Sequence, residues 1–342
     1  MYYDGSRLLS MRDINGNKPE IFMVCGNNTS GKTTFFARRL IDGFLKNKEK
    51  FMYVYRFSYE ITDCSDKIFK DVGSLFFRDH TMTAKKKANG VYAELFLDKI
   101  ACGYVVALNN VDNLKQYSHF FSDTSCMFMD EFQSETAHYA QNEVNKFRAL
   151  HKAVARGQNK MSRYVPIYMC SNNISLLNPY FAKMGISERL QKNTKFLRGD
   201  GFVLEQNFNE SASKAQRESA FNRAFGHDEY SSFTEQATYL NDNLTFIEKP
   251  QGQNNYLATL RYGKQSFAIR EFADLGIVYC DDRPDESFPL KITLAAADHQ
   301  LNWVMLKKHD IFIETLRFYF EHGAFRFKNL KCKEAIIKSL SY

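Results

Sequence analysis

The sequence predicts an α/β fold with a mostly parallel central sheet, followed by a smaller α+β domain. Up to about residue 205, apolar runs that suit buried strands alternate with helical or irregular segments. A loop bounded by two glycines joins the first of these runs to a stretch with helical spacing. From Thr245 onward, short alternating runs precede a helical end at Ile311–Leu340. We therefore expect an α/β domain at 1–205, a partly helical linker at 206–243 and an α+β domain at 244–342.

The loop between the two glycines carries the most specific motif. Gly26–Thr33 matches G-x-x-x-x-G-K-[ST] at every fixed position. Because its backbone N–H groups and the next helix N-terminus can converge on a di- or triphosphate, the loop predicts ATP as a cofactor. Lys32 is expected to reach the β- and γ-phosphates, and Thr33 to bind Mg²⁺. A turn whose glycines only reverse the chain is the alternative. The predicted ATP-binding residues are Gly26, Asn27, Asn28, Thr29, Ser30, Gly31, Lys32, Thr33 and Thr34.

Two adjacent carboxylates follow an apolar run about a hundred residues further on. Asp130 is predicted to hold Mg²⁺, directly or through water, on the strand next to the glycine-bounded loop. Glu131 is predicted to act on the water that attacks the γ-phosphate. Acidic residues often end buried strands, so this pair gains its meaning from the loop that precedes it.

Other candidates are less specific. Asn172 follows a predicted strand at Tyr164–Cys170 and could sense the γ-phosphate, or only form a turn or helix cap. Arg56 ends another strand and could face phosphate, a neighbouring subunit or solvent. The lysine run Lys85–Lys87 is typical of an exposed turn, with DNA contact as the alternative. Residues 1–19 could lie beside the nucleotide base or pack on the sheet as an edge segment.

Composition and cysteine usage indicate an ordinary soluble protein. The length of 342 residues predicts two domains with cores of their own. A content of 44% hydrophobic and 25% charged residues is typical of soluble proteins. The seven cysteines show no metal-ligand spacing, so no structural zinc is expected. Three cysteines lie in apolar runs, where a free thiol behaves as a small hydrophobe: Cys25, Cys126 and Cys170. Free thiols of this kind favour a reducing cytoplasm. We expect no signal sequence and no membrane span.

Positive charge is concentrated in the first part of the chain. The net charge is +7, but residues 1–205 carry 29 basic and 21 acidic side chains, against 17 and 18 in residues 206–342. Residues 140–200 alone hold 11 basic and 3 acidic side chains, and they include a predicted helix with a basic face at 135–157. This distribution favours a nucleic-acid partner, although lysines kept for solubility are a common alternative.

Together these residues resemble the DNA-packaging ATPase, or encapsidation protein, of small tailed phages that prime replication with a protein. The resemblance covers most of the chain and includes the phosphate loop. Its other motifs are Leu8–Met11, Phe51–Arg56 with Glu60, Phe128–Phe132, Asn142–Val144 with Arg156, Met169–Asn173, Asn178–Phe181 and Phe246–Lys249.

The resemblance implies a P-loop ATPase of the ASCE type that acts as the motor half of a terminase. A homomeric ring, typically a pentamer, would dock on the portal of an empty procapsid and hydrolyse ATP to drive double-stranded DNA inward. A structural packaging RNA is a further candidate partner. The implied location is the host cytoplasm and, transiently, the portal vertex, but not the mature virion.

The resemblance also assigns roles to single residues. Asn172 would couple hydrolysis to movement. Arg156 matches an arginine finger supplied by the next subunit, although an arginine at a helix end is also favoured by the helix dipole. Lys115 matches a second trans-acting basic residue only with a two-residue offset. Relatives often carry an arginine among the variable loop positions; here that charge would come from elsewhere, with Arg56 as a candidate.

The C-terminal domain is expected to be a vestigial nuclease of RNase H-like fold without cleavage activity. Its first clear strand, Tyr256–Tyr262, has no carboxylate, whereas a two-metal site needs several. Two other functions remain open from the residues: a helicase or repair ATPase acting on nucleic acid, and a nucleotide-gated binding module with little turnover. A second motor-like domain would favour the helicase, but residues 206–342 are too few and too acidic for one.

Overall fold

The fold consists of two units that are each built around a sheet. The structure is a computed structural model. It divides into one unit of Met1–Ile174, Asn178–Lys183 and Arg189–Leu240, and another of Ser175–Leu177, Met184–Glu188 and Asn241–Tyr342. The described residues are 3–27, 30–135, 138–156, 162–175, 178–186, 189–190, 194–208, 214, 246–263, 265–293, 296–306, 310–321 and 324–340.

The first unit contains a nine-stranded sheet in the order β3-β4-β5-β2-β6-β7-β1-β9-β8. The six strands from β5 to β9 in this order are parallel, and antiparallel hairpins form both edges. The predicted mostly parallel sheet is therefore confirmed. The strands are β1 (Ile21–Gly26), β2 (Lys50–Tyr55), β3 (Met82–Lys87), β4 (Tyr92–Leu97), β5 (Ile100–Ala107), β6 (Thr124–Asp130), β7 (Ile167–Asn172), β8 (Phe196–Gly199) and β9 (Phe202–Asn207).

Helices cover the faces of this sheet, which is why its central strands are almost continuously apolar. Phe36 packs against Tyr168 of β7 and Phe128 of β6, with ring centroids 5.3 and 5.8 Å apart. These contacts fix the helix that follows the glycine-bounded loop over the middle of the sheet. Among the described residues of this part of the chain, the helices are α1 (Ser6–Ser10), α2 (Lys32–Asn47), α3 (Cys64–Phe76), α4 (Val111–Leu114), α5 (Glu143–Val154) and α6 (Pro179–Met184).

The second unit contains a six-stranded mixed sheet in the order β14-β13-β10-β11-β12-β15. Strands β10, β11 and β12 form an antiparallel meander, and β13, β14 and β15 pair in parallel. Within the described residues of this unit, two helices follow the meander along the chain. The elements are β10 (Asn255–Tyr262), β11 (Gln265–Phe272), β12 (Ile277–Asp281), β13 (Lys291–Thr293), β14 (Val304–Met305), α7 (Ile311–Glu321), β15 (Phe325–Phe327) and α8 (Leu330–Leu340).

Several local predictions differ from the structure. Lys85–Lys87 does not form a turn but belongs to the edge strand β3, where Lys87 pairs with Glu94 at 3.0 Å. Charged side chains suit such an edge because they oppose pairing with a further strand. The strand predicted at Tyr164–Cys170 begins later and includes Asn172. Most of the predicted linker, 206–243, lies outside the described residues. Among the described residues, no helix is long and apolar enough to cross a membrane.

Candidate nucleotide-binding site

The glycine-bounded loop follows β1 in the middle of the parallel sheet. Gly26 pairs with Asn172 of β7 on one side and with Asn207 of β9 on the other. A Cβ atom at Gly26 would lie 2.2 Å from the carbonyl oxygen of Asn207, so no larger residue fits there. Gly31 has φ +92°, a left-handed conformation that glycine adopts without strain. Both glycines are therefore required by the backbone that brings the loop onto the start of α2.

Lys32 is buried and held by the loop itself. Its Nζ donates to the carbonyl oxygen of Asn27 at 2.8 Å and to Oγ of Ser30 at 3.1 Å. A longer contact of 3.5 Å reaches Oδ1 of Asn172. Burial lowers the pKa of the Lys32 ammonium. An anion on the loop would counter this effect because it favours the charged form.

Thr33 of α2 and Asp130 of β6 lie together although β6 is not a neighbour of β1, the strand that precedes the loop. The prediction that Asp130 lies on the strand next to the loop is wrong, because β7 separates β1 from β6. Thr33 nevertheless donates its hydroxyl to Oδ1 of Asp130 at 3.2 Å. The first turn of α2 also reaches β7, where Lys32 lies 3.5 Å from Asn172 Oδ1 and Thr33 lies 4.0 Å from Cys170 Sγ.

These two oxygen-bearing side chains fit a magnesium ion. Mg²⁺ takes oxygen ligands and usually keeps water and substrate phosphate oxygens in its shell, with only one or two protein ligands. No group of three or more His, Cys, Asp or Glu side chains suited to a metal occurs among the described residues. Burial raises the pKa of Asp130, while hydrogen bonds from Cys170 and Thr33 act in the opposite direction. A cation would likewise favour the carboxylate.

Glu131 occupies a strained turn directly after β6. Its φ is +53°, which costs a non-glycine residue about 1–2 kcal/mol. Burial, and next the carboxylate of Asp130, raise the pKa of Glu131. The residue lines a cleft of about 260 Å³. The other residues that line the cleft are Arg56, Gln133, Ser134, Glu135 and Asn172.

A buried ion pair supports this turn, and the sequence analysis missed its acidic partner. Arg56 donates through Nε to Glu143 Oε2 at 2.9 Å, and through Nη2 to the carbonyl oxygens of Glu131 at 3.1 Å and Phe132 at 3.0 Å. Glu143 also accepts from the Tyr180 hydroxyl at 2.9 Å. The interpretation of Arg56 as a solvated strand end is therefore wrong. In the sequence, Glu143 is visible only as part of the motif Asn142–Val144, which by itself indicates no ion pair.

The remaining predicted site residues lie at different distances from this cluster. Asn172 lies beside Lys32 at the end of β7 and lines the cleft. Arg156 follows α5, is exposed, and its side chain makes no hydrogen bond or ion pair with another described residue. Lys115 begins a 3₁₀ helix, and its side chain lies outside the described part of the structure. Asn28 and Thr29 of the loop also lie outside it.

The N-terminal lead-in packs on the sheet and also reaches the loop. The backbone N–H of Tyr3 donates to the carbonyl oxygen of Ser30 at 2.8 Å, and its hydroxyl donates to Glu205 of β9 at 2.8 Å. Leu8 of α1 is fully buried. These contacts agree with the edge-segment interpretation of residues 1–19 and place it next to the phosphate loop motif.

Fold and site together define the class: a mixed α/β protein with a candidate nucleotide site at the carboxyl edge of a mostly parallel sheet. The chain belongs to the family of podovirus DNA encapsidation proteins (Gp16), whose sequence model matches residues 1–340.

Individual relatives cover the chain almost completely. It is 24% identical over 346 residues to the DNA packaging protein of Bacillus phage phi29, which covers 100% of this chain and 96% of that protein. For the DNA packaging protein of Bacillus phage B103, identity is 23% over 310 residues, or 90% of this chain and 92% of that protein.

Two solved structures share the fold over its full length. A chain of the bacteriophage Phi-29 viral genome packaging motor assembly superposes with a TM-score of 0.58 at 22% identity, covering 100% of this chain and 97% of that chain. A chain of the Phi-28 gp11 DNA packaging motor gives 0.63 at 16% identity, covering 99% and 98%.

Proposed function

We propose that this chain is an ATP-driven motor that packages double-stranded viral DNA into a procapsid. The observation that carries the proposal is the convergence of Lys32, Thr33, Asp130 and Glu131 at one edge of the sheet, in a member of the encapsidation protein family. Membership of this family favours packaging over the helicase or repair alternative, as does the similarity of the chain to the DNA packaging proteins of phages phi29 and B103.

The side chains at this edge of the sheet would have separate roles in ATP hydrolysis. Lys32 neutralises phosphate charge, while Thr33 and Asp130 would hold the magnesium ion. When bound, that ion offsets the negative charge of the phosphates. Glu131 orients the attacking water and accepts its proton, and its raised pKa makes it a stronger base than an ordinary glutamate. Asn172, which ends β7 and contacts Lys32, would sense the presence of the γ-phosphate.

Assembly into a ring would complete the site. Arg156 is exposed and has no described partner within its own chain, so it is available to a neighbouring subunit as an arginine finger. Such a finger contributes roughly 10³–10⁵ in rate and makes each site depend on its neighbour. Lys115 is a second candidate for a trans-acting residue. The partners in this proposal are double-stranded DNA, the portal, a structural packaging RNA and four further copies of the chain in a pentamer.

The second unit would be a vestigial RNase H-like domain without cleavage activity. The strand order supports this fold. The first strand of the meander, β10, has β11 on one side and the parallel strands β13 and β14 on the other. Strand β10 carries no carboxylate. Asp281 is buried and paired with Arg270 at 3.0 Å, so its charge is already neutralised. Since two-metal cleavage needs several free carboxylates, we expect no nuclease activity.

Mixing two inactive variants tests the ring motor. Arg156→Ala should lack the finger, and Glu131→Gln should lack the base, while both still bind ATP. If one subunit lends its arginine to the site of another, a mixture recovers part of the turnover measured with double-stranded DNA. Hydrolysis should also require Glu131 within each active site. Failure to recover in mixtures, with both variants folded and binding ATP, contradicts the trans role of Arg156.

A further inference from the structure

Cys170 contacts both side chains that would hold the magnesium ion. The register of the parallel strands pairs it with Asp130 of β6 on one side and with Val24 of β1 on the other. Its Sγ lies 2.9 Å from Oδ1 of Asp130 and 4.0 Å from Oγ1 of Thr33. The side chain is fully buried. Cys170 is therefore buried like a small hydrophobe, as expected, but its thiol also makes a polar contact that the sequence does not indicate.

One oxygen of Asp130 receives all of the hydrogen bonds that described residues donate to this carboxylate. Oδ1 accepts from the Cys170 thiol, from the Thr33 hydroxyl at 3.2 Å and from the Glu131 backbone N–H at 3.0 Å. Within the described part of the chain, Oδ2 accepts none. Three donors on one oxygen fix the rotation of the carboxylate and leave the other oxygen for a cation or its water.

We propose that Cys170 is a positioning residue for Mg²⁺: its thiol holds Oδ1 of Asp130 and thereby orients Oδ2 toward the cation. This inference rests on the proposed function, in which Asp130 belongs to the magnesium site. Groups that hydrogen-bond to metal ligands orient them, and their removal typically weakens metal binding about 10- to 100-fold. A thiol is a weak donor, so we expect the lower end of this range.

The chain offers a matched control for a purely packing role. Cys126 lies on β6, packs against the same hydrophobic core and forms no hydrogen bond with another described residue. Replacing either thiol with alanine removes a similar volume from the sheet. Only the replacement of Cys170 removes a donor from Asp130.

The first experiment measures how Mg²⁺ promotes the binding of a fluorescent ADP analogue. For Cys170→Ala, half-maximal promotion should need about tenfold more Mg²⁺ than for the wild type, with unchanged binding in the absence of Mg²⁺. Cys170→Ser keeps a donor and should need nearly the wild-type concentration, as should Cys126→Ala. An unchanged Mg²⁺ requirement in Cys170→Ala, or equal losses in the alanine and serine variants of Cys170, overturns the proposal.

The second experiment reads the hydrogen bond in the protein without nucleotide. The infrared S–H stretching band of Cys170 is isolated as the difference between the wild type and Cys170→Ser. A thiol bound to a carboxylate absorbs at lower frequency than a free thiol, and the band should move upward in Asp130→Ala. A band at the free-thiol position in the wild type contradicts the proposal. Because this measurement needs no ATP turnover, an inactive wild type would refute the proposed function without refuting the contact.

Discussion

The ion pair between Arg56 and Glu143 should have separate effects on folding and on turnover. Its charged groups are buried, with exposed side-chain fractions of 10% for Arg56 and 1% for Glu143. The perturbation is Glu143→Gln, which keeps the size of the side chain and removes its charge. In the native protein, the Tyr180 hydroxyl donates to one carboxylate oxygen of Glu143 at 2.9 Å, and the backbone N–H of Ala140 donates to the other at 2.7 Å. The glutamine amide keeps one oxygen, which can accept from Tyr180 or from Ala140.

The expected loss of stability follows from the guanidinium that stays behind. Removing one partner of a buried ion pair costs about 3–5 kcal/mol, because the other charge remains desolvated. Since Arg56 keeps its bonds to the carbonyl oxygens of Glu131 and Phe132, we expect the lower value, about 3 kcal/mol. At 1.4 kcal/mol for each factor of ten, the unfolded fraction of this unit would rise about 150-fold.

The effect on turnover comes from the turn that Arg56 supports. The left-handed conformation of Glu131 costs about 1–2 kcal/mol. Two hydrogen bonds from a charged donor, each contributing about 1.5–3 kcal/mol, exceed this cost. Without Arg56, the strained turn should relax and the catalytic carboxylate should lose its position. We therefore expect Arg56→Met to lower kcat strongly and ATP binding only weakly.

Urea unfolding and ATP turnover of a double variant separate the two roles. Glu143→Gln alone should lower the free energy of unfolding by about 3 kcal/mol. Adding Arg56→Met removes the stranded charge and should restore most of that stability, but it should lower turnover because the turn at Glu131 loses its support. The reasoning is refuted if the double variant is as unstable as Glu143→Gln, or if it turns over ATP as fast as the wild type.

Three further predictions concern other parts of the first unit. Gly26→Ala should lower the free energy of unfolding by about 1–3 kcal/mol, since its Cβ would lie 2.2 Å from the backbone of β9; an unchanged urea midpoint contradicts this. Because burial and the Asp130 carboxylate raise the pKa of Glu131, turnover should decline on acidification at a higher pH than for an ordinary glutamate; a profile that is flat down to the ordinary glutamate pKa would exclude it as the base. Burial lowers the pKa of His151, but hydrogen bonds to Glu20 and a backbone carbonyl outweigh it and raise the pKa overall. The stability that this pair contributes is therefore complete below the unfolded pKa of His151, about 6.5, and is lost as pH rises through its pKa in the folded protein. The thermal unfolding of His151→Ala should differ most from that of the wild type at mildly acidic pH and least at alkaline pH.

Sequence alone was sufficient for the features that depend on local order. The strand before the loop, the loop Gly26–Thr33 and the helix after it are consecutive in the chain. The residues of each favour the backbone conformation that the strand–loop–helix motif requires. Asp130 and Glu131 follow their strand directly, so the pattern of apolar residues places both at its carboxyl end. The class of fold follows because alternating strands and helices leave a parallel sheet as the compact arrangement.

Tertiary structure alone decided which residues meet across the sheet. Strand order cannot be deduced from spacing, so the insertion of β7 between β1 and β6 was not predicted. That insertion brings Cys170 into contact with Asp130, and packing of α5 brings Glu143 to Arg56. Both partners look ordinary in the sequence, one within an apolar run and the other in the first turn of a helix. Their roles arise from burial, because a buried polar group must find a partner, and only the folded chain determines which partner is within reach.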